Sequence, residues 1–487
     1  MSLTDRSITA FFWVLVDKLG SSGANFLVAI ILARLLTPED FGLLAMIMIF
    51  FELSNTFIQS GFSYALIREK EISDIDKSTT FIFNFLTAIF FYIVLFFSAP
   101  AIARFFHQDI LVQIVRVMGL NLIISSAAII QHTILTQRID FKTQAKVRFA
   151  AVLISGGIAI VMAYKGFGVW SLVARIGLME LASAIFLWVV NPWKISLRFS
   201  RQSFRKLFGF GSKLLAEALI DKFFRHIVQV LIGRFFTTAI LGFFTQANNF
   251  VNMAANTFQQ SIQRVTYPVL AKLQDDRVKL KEAYRQIIVM SSFIIVPIMV
   301  MMGVLAKPIL LTMVGEKWLD AVPFLQLLCM AGVTYHINSV NIDLLLVLGR
   351  VDLSLRLEVI KKAVTLIAIA AGGLTYGVFG LVAGQVISNY IALFINTYYT
   401  DKYLNYPLGA QIRDVLPSLA FSAAMGVIVV LMQNYITAED LTYLLGGTAF
   451  GVLFYLGGHF LAHTEEMRLL RVVFIPKAMR IVRGERG

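Results

Sequence analysis

The sequence predicts an all-α integral membrane protein of about fourteen transmembrane helices, arranged as two six-helix lobes plus two C-terminal helices. Three observations predict it. Apolar runs of about 20 residues recur along the whole chain, basic residues crowd every second connection, and the first half of the chain is echoed in the second. Of the 487 residues 58% are hydrophobic and 15% charged, against about a quarter charged in a soluble domain. The mean hydropathy is +0.77. Backbone groups in lipid must be bonded within the protein, so each run is read as a helix. The runs are continuous rather than alternating, which excludes a β-barrel.

The spans begin near residues 9, 40, 78, 111, 144, 168, 209, 239, 284, 321, 354, 377, 412 and 440. Basic connections follow every second span: Arg138, Lys142, Lys146 and Arg148; Lys194, Arg198, Arg201, Arg205 and Lys206; Lys272, Arg277, Lys279 and Lys281. The alternate connections, such as Thr37-Pro38-Glu39-Asp40, are short and poor in Lys and Arg. By the positive-inside rule both termini are expected on the cytoplasmic side of the membrane. The net charge of +14 is thereby accounted for without a nucleic acid partner. After Ala462 the apolar Leu469, Val472, Val473, Ile475 and Met479 alternate with basic residues, the pattern of an amphipathic helix resting on anionic headgroups. Asp17 and Lys18 in the first segment, with no small-residue cleavage site, argue against a signal peptide. Cys329, the single cysteine, lies in an apolar run and reads as a packing residue.

The repeat rests on three ordered matches. Arg34, Thr37 and Gly42 correspond to Arg234, Thr237 and Gly242; Arg138-Ile139-Asp140 to Arg350-Val351-Asp352; and Gly168-Val169-Trp170 to Gly377-Val378-Phe379. A unit of six spans puts both halves across the membrane in the same direction, about an axis along its normal. The expected domains are an N-lobe over 1–200, a C-lobe over 201–405, two further helices over 406–463 and the basic tail over 464–487.

Ionisable groups at membrane depth cost at least a few kcal/mol, so they face partners or water-filled cavities. The first segment carries Asp17, Lys18, Ser22 and Asn25; the second Glu52, Asn55 and Gln59; the seventh Glu217, Asp221 and Arg225 at successive steps of four, flanked by Lys222 and His226. The eighth carries Gln246, Asn249, Asn252, Asn256, Gln260 and Gln263, a polar stripe at helical spacing. These four helices are the first pair of each repeat. Blander readings stand beside the functional one: Asp221 and Arg225 as a self-neutralising i,i+4 pair, and Arg34 and Arg234 as snorkelling span-end residues. His336 and Asp343, seven apart, are placed to share a face, as a satisfied buried pair rather than the alternative of a proton relay. Arg175 with Glu180, and Glu358 with Lys361 and Lys362, are expected to pair within their own helices or to lie near an interface. No phosphate-binding Gly-x-x-x-x-Gly-Lys loop, His-Glu-x-x-His or Cys-x-x-Cys motif occurs, so no catalytic residue, metal or cofactor is predicted.

The stretch Leu32-Ala33-Arg34-Leu35-Leu36-Thr37-Pro38-Glu39-Asp40-Phe41-Gly42, the segment Tyr267-Pro268-Val269-Leu270-Ala271-Lys272 and the run Gly315-Glu316-Lys317-Trp318 before Ala321-Val322-Pro323 resemble the Wzx-type polysaccharide flippases. The likeness is strongest to the branch that includes the colanic acid exporter. The family sits in the multidrug/oligosaccharidyl-lipid/polysaccharide exporter superfamily, whose fold has fourteen helices in two six-helix lobes. The resemblance implies a substrate, an oligosaccharide on undecaprenyl pyrophosphate moved from the cytoplasmic to the periplasmic leaflet for exopolysaccharide, O-antigen or capsule synthesis. It also implies a polymerase, a chain-length regulator and membrane lipids as partners. On that basis Lys18, Lys222, Arg225, Arg34 and Arg234 are the candidates for pyrophosphate. Asn25, Asn55, Gln246, Asn249, Asn252, Asn256, Gln260 and Gln263 are the candidates for sugar. Asp17, Glu52, Glu217 and Asp221 are the candidates for a coupling proton or Na⁺. The alternatives are a cation-coupled multidrug exporter and, in another class, a membrane-bound glycosyltransferase or polymerase, against which the short connections argue.

Overall fold

The computed structural model describes residues 20–59, 62–68, 73–193, 196, 198–435 and 440–471. Asp17, Lys18 and the tail beyond Arg471 lie outside them. Among the described residues every regular element is helical and ten helices are long and apolar enough to cross a membrane. The chain divides into two compact units, residues 1–245 and 246–487.

The first unit begins with α1 (Gly20–Leu35). It continues with α2 (Pro38–Gln59), the short α3 (Phe62–Arg68), α4 (Asp74–Phe106), α5 (Leu111–Gln137), α6 (Phe141–Tyr164), α7 (Val169–Val190) and α8 (Arg201–Phe235). It ends within α9 (Thr238–Lys272). Local chemistry sets the helix starts. Ser73 and Asp76 form a reciprocal capping box at α4, Asp140 Oδ1 accepts the Thr143 N–H of α6 at 3.1 Å, and Ser200 Oγ accepts the Ser203 N–H of α8 at 3.2 Å; each satisfies an amide that the helix leaves open. α4 ends at His107 in the left-handed region. The helices α4 and α5 pair along their length, as do α6 and α7, and α5 also packs on α7. The division at 245, rather than at the 200/201 boundary of the repeat reading, arises because α8 packs on α2, α3 and α4.

The second unit holds α10 (Arg277–Val304), α11 (Ala306–Met313), a 3-10 turn (Glu316–Ala321), α12 (Val322–Val347), α13 (Val351–Leu404), α14 (Leu408–Tyr435), α15 (Asp440–Leu461) and α16 (Glu465–Leu469). The N-cap of α10 is Asp276, whose carboxyl is held below the ordinary carboxylate range by the Lys279 N–H and ammonium. Although helical bonding runs through all of α13, Tyr376 and Gly377 leave helical geometry, so the element is a hairpin of two helices. The glycines make it tight: a methyl at Gly380 would collide with the Gly372 carbonyl, one at Gly372 with the Gly380 carbonyl, and one at Gly384 with the Ala368 carbonyl. Gly377 has φ +62 and ψ −140; its repeat partner Gly168 has φ +53 and ψ −133 at the head of α7. That sequence match is therefore a shared backbone turn. The match at 138–140 and 350–352 is looser, since positive φ falls on Ile139 in one and on Gly349 in the other.

The apolar faces divide as a membrane solvent dictates. Trp318, Tyr284, Phe244 and Phe62 are wholly buried. Leu86, Phe90 and Phe97 of α4, Val427 and Leu431 of α14, and Leu445 and Leu453 of α15 are exposed. These helices correspond to the third, thirteenth and fourteenth spans, beginning near residues 78, 412 and 440. Cys329 is buried, as its apolar setting predicts.

Candidate functional site

The first unit contains a cavity of about 940 Å³. Its lining comes from α1 (Ser21, Ser22, Asn25), α2 (Glu52, Asn55, Gln59), α5 (Asn121, Ser125, His132), α6 (Gln144, Arg148), α7 (Glu180, Ser183) and α8 (Lys222). Along α5 it runs from Met118 to Thr136, 18 residues or about 27 Å at the helical rise. Gln59, Thr136 and Gln144 place one end beside the connections that carry Arg138 and Lys142. Hydroxyls and amides alternate along the lining with apolar side chains such as Met48, Phe51, Leu122 and Ile176, and the charges come in both signs.

The central charged group is a triad. The Lys222 ammonium of α8 donates to Glu52 Oε2 of α2, and His226 Nε2, one turn further along α8, lies 3.5 Å from Glu52 Oε1. His226 is buried and its Nδ1 faces Gln229 Oε1 at 2.5 Å. Lys222 and Glu52, assigned opposite roles from the sequence, thus neutralise each other in the cavity wall. Steps of four along a helix put Lys222 and His226 on one face, which is the signal that unites them.

A second charged pair lies on α6 and α7. Glu180 and Arg148 both line the cavity and interact electrostatically. The expected Arg175–Glu180 pair does not form. Arg175 instead donates through Nη2 to Asn25 Oδ1 at 3.0 Å and to the Asn25 carbonyl at 3.2 Å, tying α7 to α1. Residues at 175 and 180 are five apart, so they diverge around the helix. Arg148, Glu180, His132 and Asn121 were not singled out for the cavity from sequence: the polar residues of α5, α6 and α7 draw no continuous stripe like that of the eighth segment.

Asp221 and Arg225 form the i,i+4 ion pair of α8 with about half or more of each side chain exposed, and neither lines the cavity. Arg234 binds elsewhere: its Nη1 donates to the Phe105 carbonyl at 2.8 Å, lies 2.7 Å from His107 Nδ1, and its guanidinium covers the Phe105 ring. It completes the C-terminal cap of α4. Arg34 is exposed and outside the cavity lining. Asn25 and Asn55 do line the cavity. On α9, Gln246 is buried, Asn252 half-buried and Asn249 exposed; the side chains of Asn256, Gln260 and Gln263, like that of Glu217 on α8, lie outside the described residues.

The repeat motif at the heads of α2 and α9 has a geometric meaning. Asp40 N–H donates to Thr37 Oγ1 at 3.4 Å and Ile240 N–H to Thr237 Oγ1 at 3.3 Å, so each Thr caps its helix. A methyl at Gly42 would strike the Thr238 carbonyl, and one at Gly242 the Pro38 carbonyl. The two helix starts cross reciprocally, backbone against backbone, at the end opposite the basic connections.

The second unit has its own buried polar groups. Arg285 of α10 binds Asp414 of α14 through Nε at 2.8 Å and Nη2 at 3.1 Å, and Glu465 of α16 through Nη1 at 2.8 Å. Tyr406, between α13 and α14, donates to Asp414 Oδ2 at 2.6 Å; burial and this carboxylate push its phenol up. Tyr284 and Thr400 both donate to Asn341 Oδ1. His336 Nε2 pairs with Ser292 Oγ at 2.7 Å, not with Asp343, so the expected His336–Asp343 pair does not form. Glu358 and Lys361 pair as expected, at 2.5 Å.

A sequence model described as "Polysaccharide biosynthesis protein" matches residues 31–323, more than half of the chain. The teichuronic acid biosynthesis protein TuaB of Bacillus subtilis (strain 168) is 24% identical over 407 residues, covering 82% of this chain and 84% of that protein. The lipopolysaccharide biosynthesis protein WzxC of Escherichia coli (strain K12) is 24% identical over 440 residues, covering 88% and 89%. Among solved structures, the lipid II flippase MurJ in an inward closed conformation superposes with a TM-score of 0.76 over 94% of this chain and 99% of that chain, at 16% identity. That likeness shows a shared helical fold. The chain belongs to the polysaccharide biosynthesis protein family, among its Wzx-type multi-pass membrane transport proteins.

Proposed function

We propose that the protein is a flippase that carries an oligosaccharide linked to undecaprenyl pyrophosphate from the cytoplasmic to the periplasmic leaflet of a bacterial inner membrane. The observation that carries this reading is the cavity of about 940 Å³, whose wall sets hydroxyls, amides and charges of both signs among apolar side chains, inside a unit of membrane-length helices. An apolar drug favours an apolar pocket with few polar groups; a glycan needs many neutral donors and acceptors, which Asn25, Asn55, Gln59 and Asn121 supply. Lys222 and Arg148 are the cavity cations suited to the pyrophosphate, each reached by displacing a carboxylate, Glu52 or Glu180. Glu52, released from Lys222, is then the group suited to take the coupling cation. Counting α1, the long polar helices α8 and α9, and both halves of α13, the chain has fourteen spans with both termini cytoplasmic, and the lobes alternate access to the two leaflets. Polymerase and chain-length regulator act on the delivered units.

Deleting the gene tests the reading. The expected phenotype is accumulation of lipid-linked repeat units in the cytoplasmic leaflet, with drug susceptibility unchanged. Drug hypersensitivity without such accumulation would instead mark a multidrug exporter, and loss of sugar-nucleotide turnover a glycosyltransferase.

A further inference from the structure

Asp343 of α12 is about nine-tenths buried, with 8% of its surface exposed, and its Oδ2 has no hydrogen-bond partner. The groups packed around it are neutral or already engaged. From α10, Tyr284 is wholly buried and close enough to feel the Asp343 charge, yet its hydroxyl donates to Asn341. Arg285, next along α10, is held by Asp414 and Glu465. His336, two turns earlier on α12, bonds Ser292. From α13, Arg350 is taken by Asp352 and Tyr403, Lys361 by Glu358, and Arg356 and Lys402 are exposed. Ionised, Asp343 has no ion-pair partner among the described residues, and so lacks the counter-charge that burial at membrane depth demands. A proton neutralises such a group without any further ligand.

We propose that Asp343 is a proton-binding site of the second unit, separate from the cavity of the first, which takes one proton from water and returns it in each transport cycle. Asp343 lies four residues, about 6 Å, from the end of α12 at Val347, beside the basic Arg350. Its residual exposure gives water a route from that end. Protonated, the carboxyl is neutral and fits the surrounding Asn341, Thr400 and Tyr284 without desolvated charge; ionised, it favours any conformation that admits water to α12. The buried hydrogen bonds of Asn341 to Tyr284 and Thr400 tie α12 to α10 and α13, so a change at Asp343 reaches both. The coupling part of the proposal rests on the transport reading above.

The test uses the full-length protein in lipid vesicles, with Asp343→Asn and Asp343→Glu. In pH-difference infrared spectra the wild type shows the carbonyl band of a non-hydrated carboxylic acid, Asp343→Asn lacks it, and Asp343→Glu shows it displaced. A pH gradient accelerates movement of lipid-linked oligosaccharide severalfold in the wild type and leaves Asp343→Asn unaccelerated, while exchange without a gradient persists in both. The same band in Asp343→Asn, or gradient acceleration surviving in it, overturns the proposal. Wild-type vesicles that move no lipid-linked sugar would overturn the transport reading instead, and the infrared band would still decide the proton site.

Discussion

Glu52 and Lys222 sit on different helices, 170 residues apart in sequence, and meet at the cavity wall. Such a pair gains little over two neutral residues, because desolvation offsets most of the attraction, but removing one partner strands the other. Lys222→Met alone is therefore expected to cost more folding stability than Glu52→Gln and Lys222→Met combined, by about 1–2 kcal/mol in a double-mutant cycle read by thermal unfolding. Strict additivity would show the pair to be uncoupled. Both Lys222→Met variants are expected to move lipid-linked sugar poorly, since stability returns in the double variant and the cation does not. At Arg285 the ion pairs are structural. The guanidinium joins α10, α14 and α16 through Asp414 and Glu465, and its side chain is 24% exposed. Arg285→Met should lower stability by about 2–3 kcal/mol, seen as a lower unfolding temperature in detergent; an unchanged temperature would contradict this. The charges named from sequence were visible as residues, but pairing across helices is a property of packing. Hence Glu52–Lys222 and Arg175–Asn25 were not legible, whereas the Asp221–Arg225 and Glu358–Lys361 pairs, local to one helix, were.

At the scale of the elements, the starts of α2 and α9 carry the most specific geometry. Thr37 and Thr237 cap, and Gly42 and Gly242 admit the opposing carbonyl. Their correspondence was readable because a backbone crossing leaves a sequence trace: only glycine allows it. Gly42→Leu should prise the crossing apart. With Cys329→Ala as background, a Ser125→Cys probe in the cavity wall should then label faster with a membrane-impermeant thiol reagent added from the side opposite the basic connections. Equal labelling in the Gly42 and Gly42→Leu proteins would show that the crossing seals nothing. The α13 hairpin depends on the same kind of contact. Gly380→Leu, placed against the Gly372 carbonyl, is expected to separate the two halves and reduce folded protein recovered in detergent, while Gly409→Ala, with open space around it, is expected to be tolerated. Most helix starts among the described residues were legible to within four residues, since apolar runs, capping residues and Gly-Val turns are all local, but α8 and α10 begin at Arg201 and Arg277, about two turns ahead of the starts read near 209 and 284. The partition of α8 was not: its sequence groups it with the second repeat, and its packing on α2, α3 and α4 places it in the first unit.

For the molecule as a whole, composition alone specified a helical membrane protein, because 58% hydrophobic residues in runs of membrane length leave no soluble alternative. The cavity was half legible. Asn25, Glu52, Asn55 and Lys222 belong to segments that the polar pattern singled out, and all four line it. Arg148, Glu180 and His132 reach it from α6, α7 and α5, whose polar residues form no stripe in the sequence, and only the three-dimensional arrangement gathers them. A wall of balanced charges and neutral hydrogen-bonding groups suits a glycan-bearing anion, and the membrane-length helices suit its lipid. The most direct test of this account is translocation of a purified undecaprenyl-pyrophosphate-linked oligosaccharide in vesicles containing the protein alone, followed by how much of the glycan an externally added glycosidase can reach. The account predicts that the protein carries glycan across the bilayer, and that Lys222→Met and Arg148→Met each reduce the rate by about tenfold or more. A rate no faster than in protein-free vesicles would contradict it.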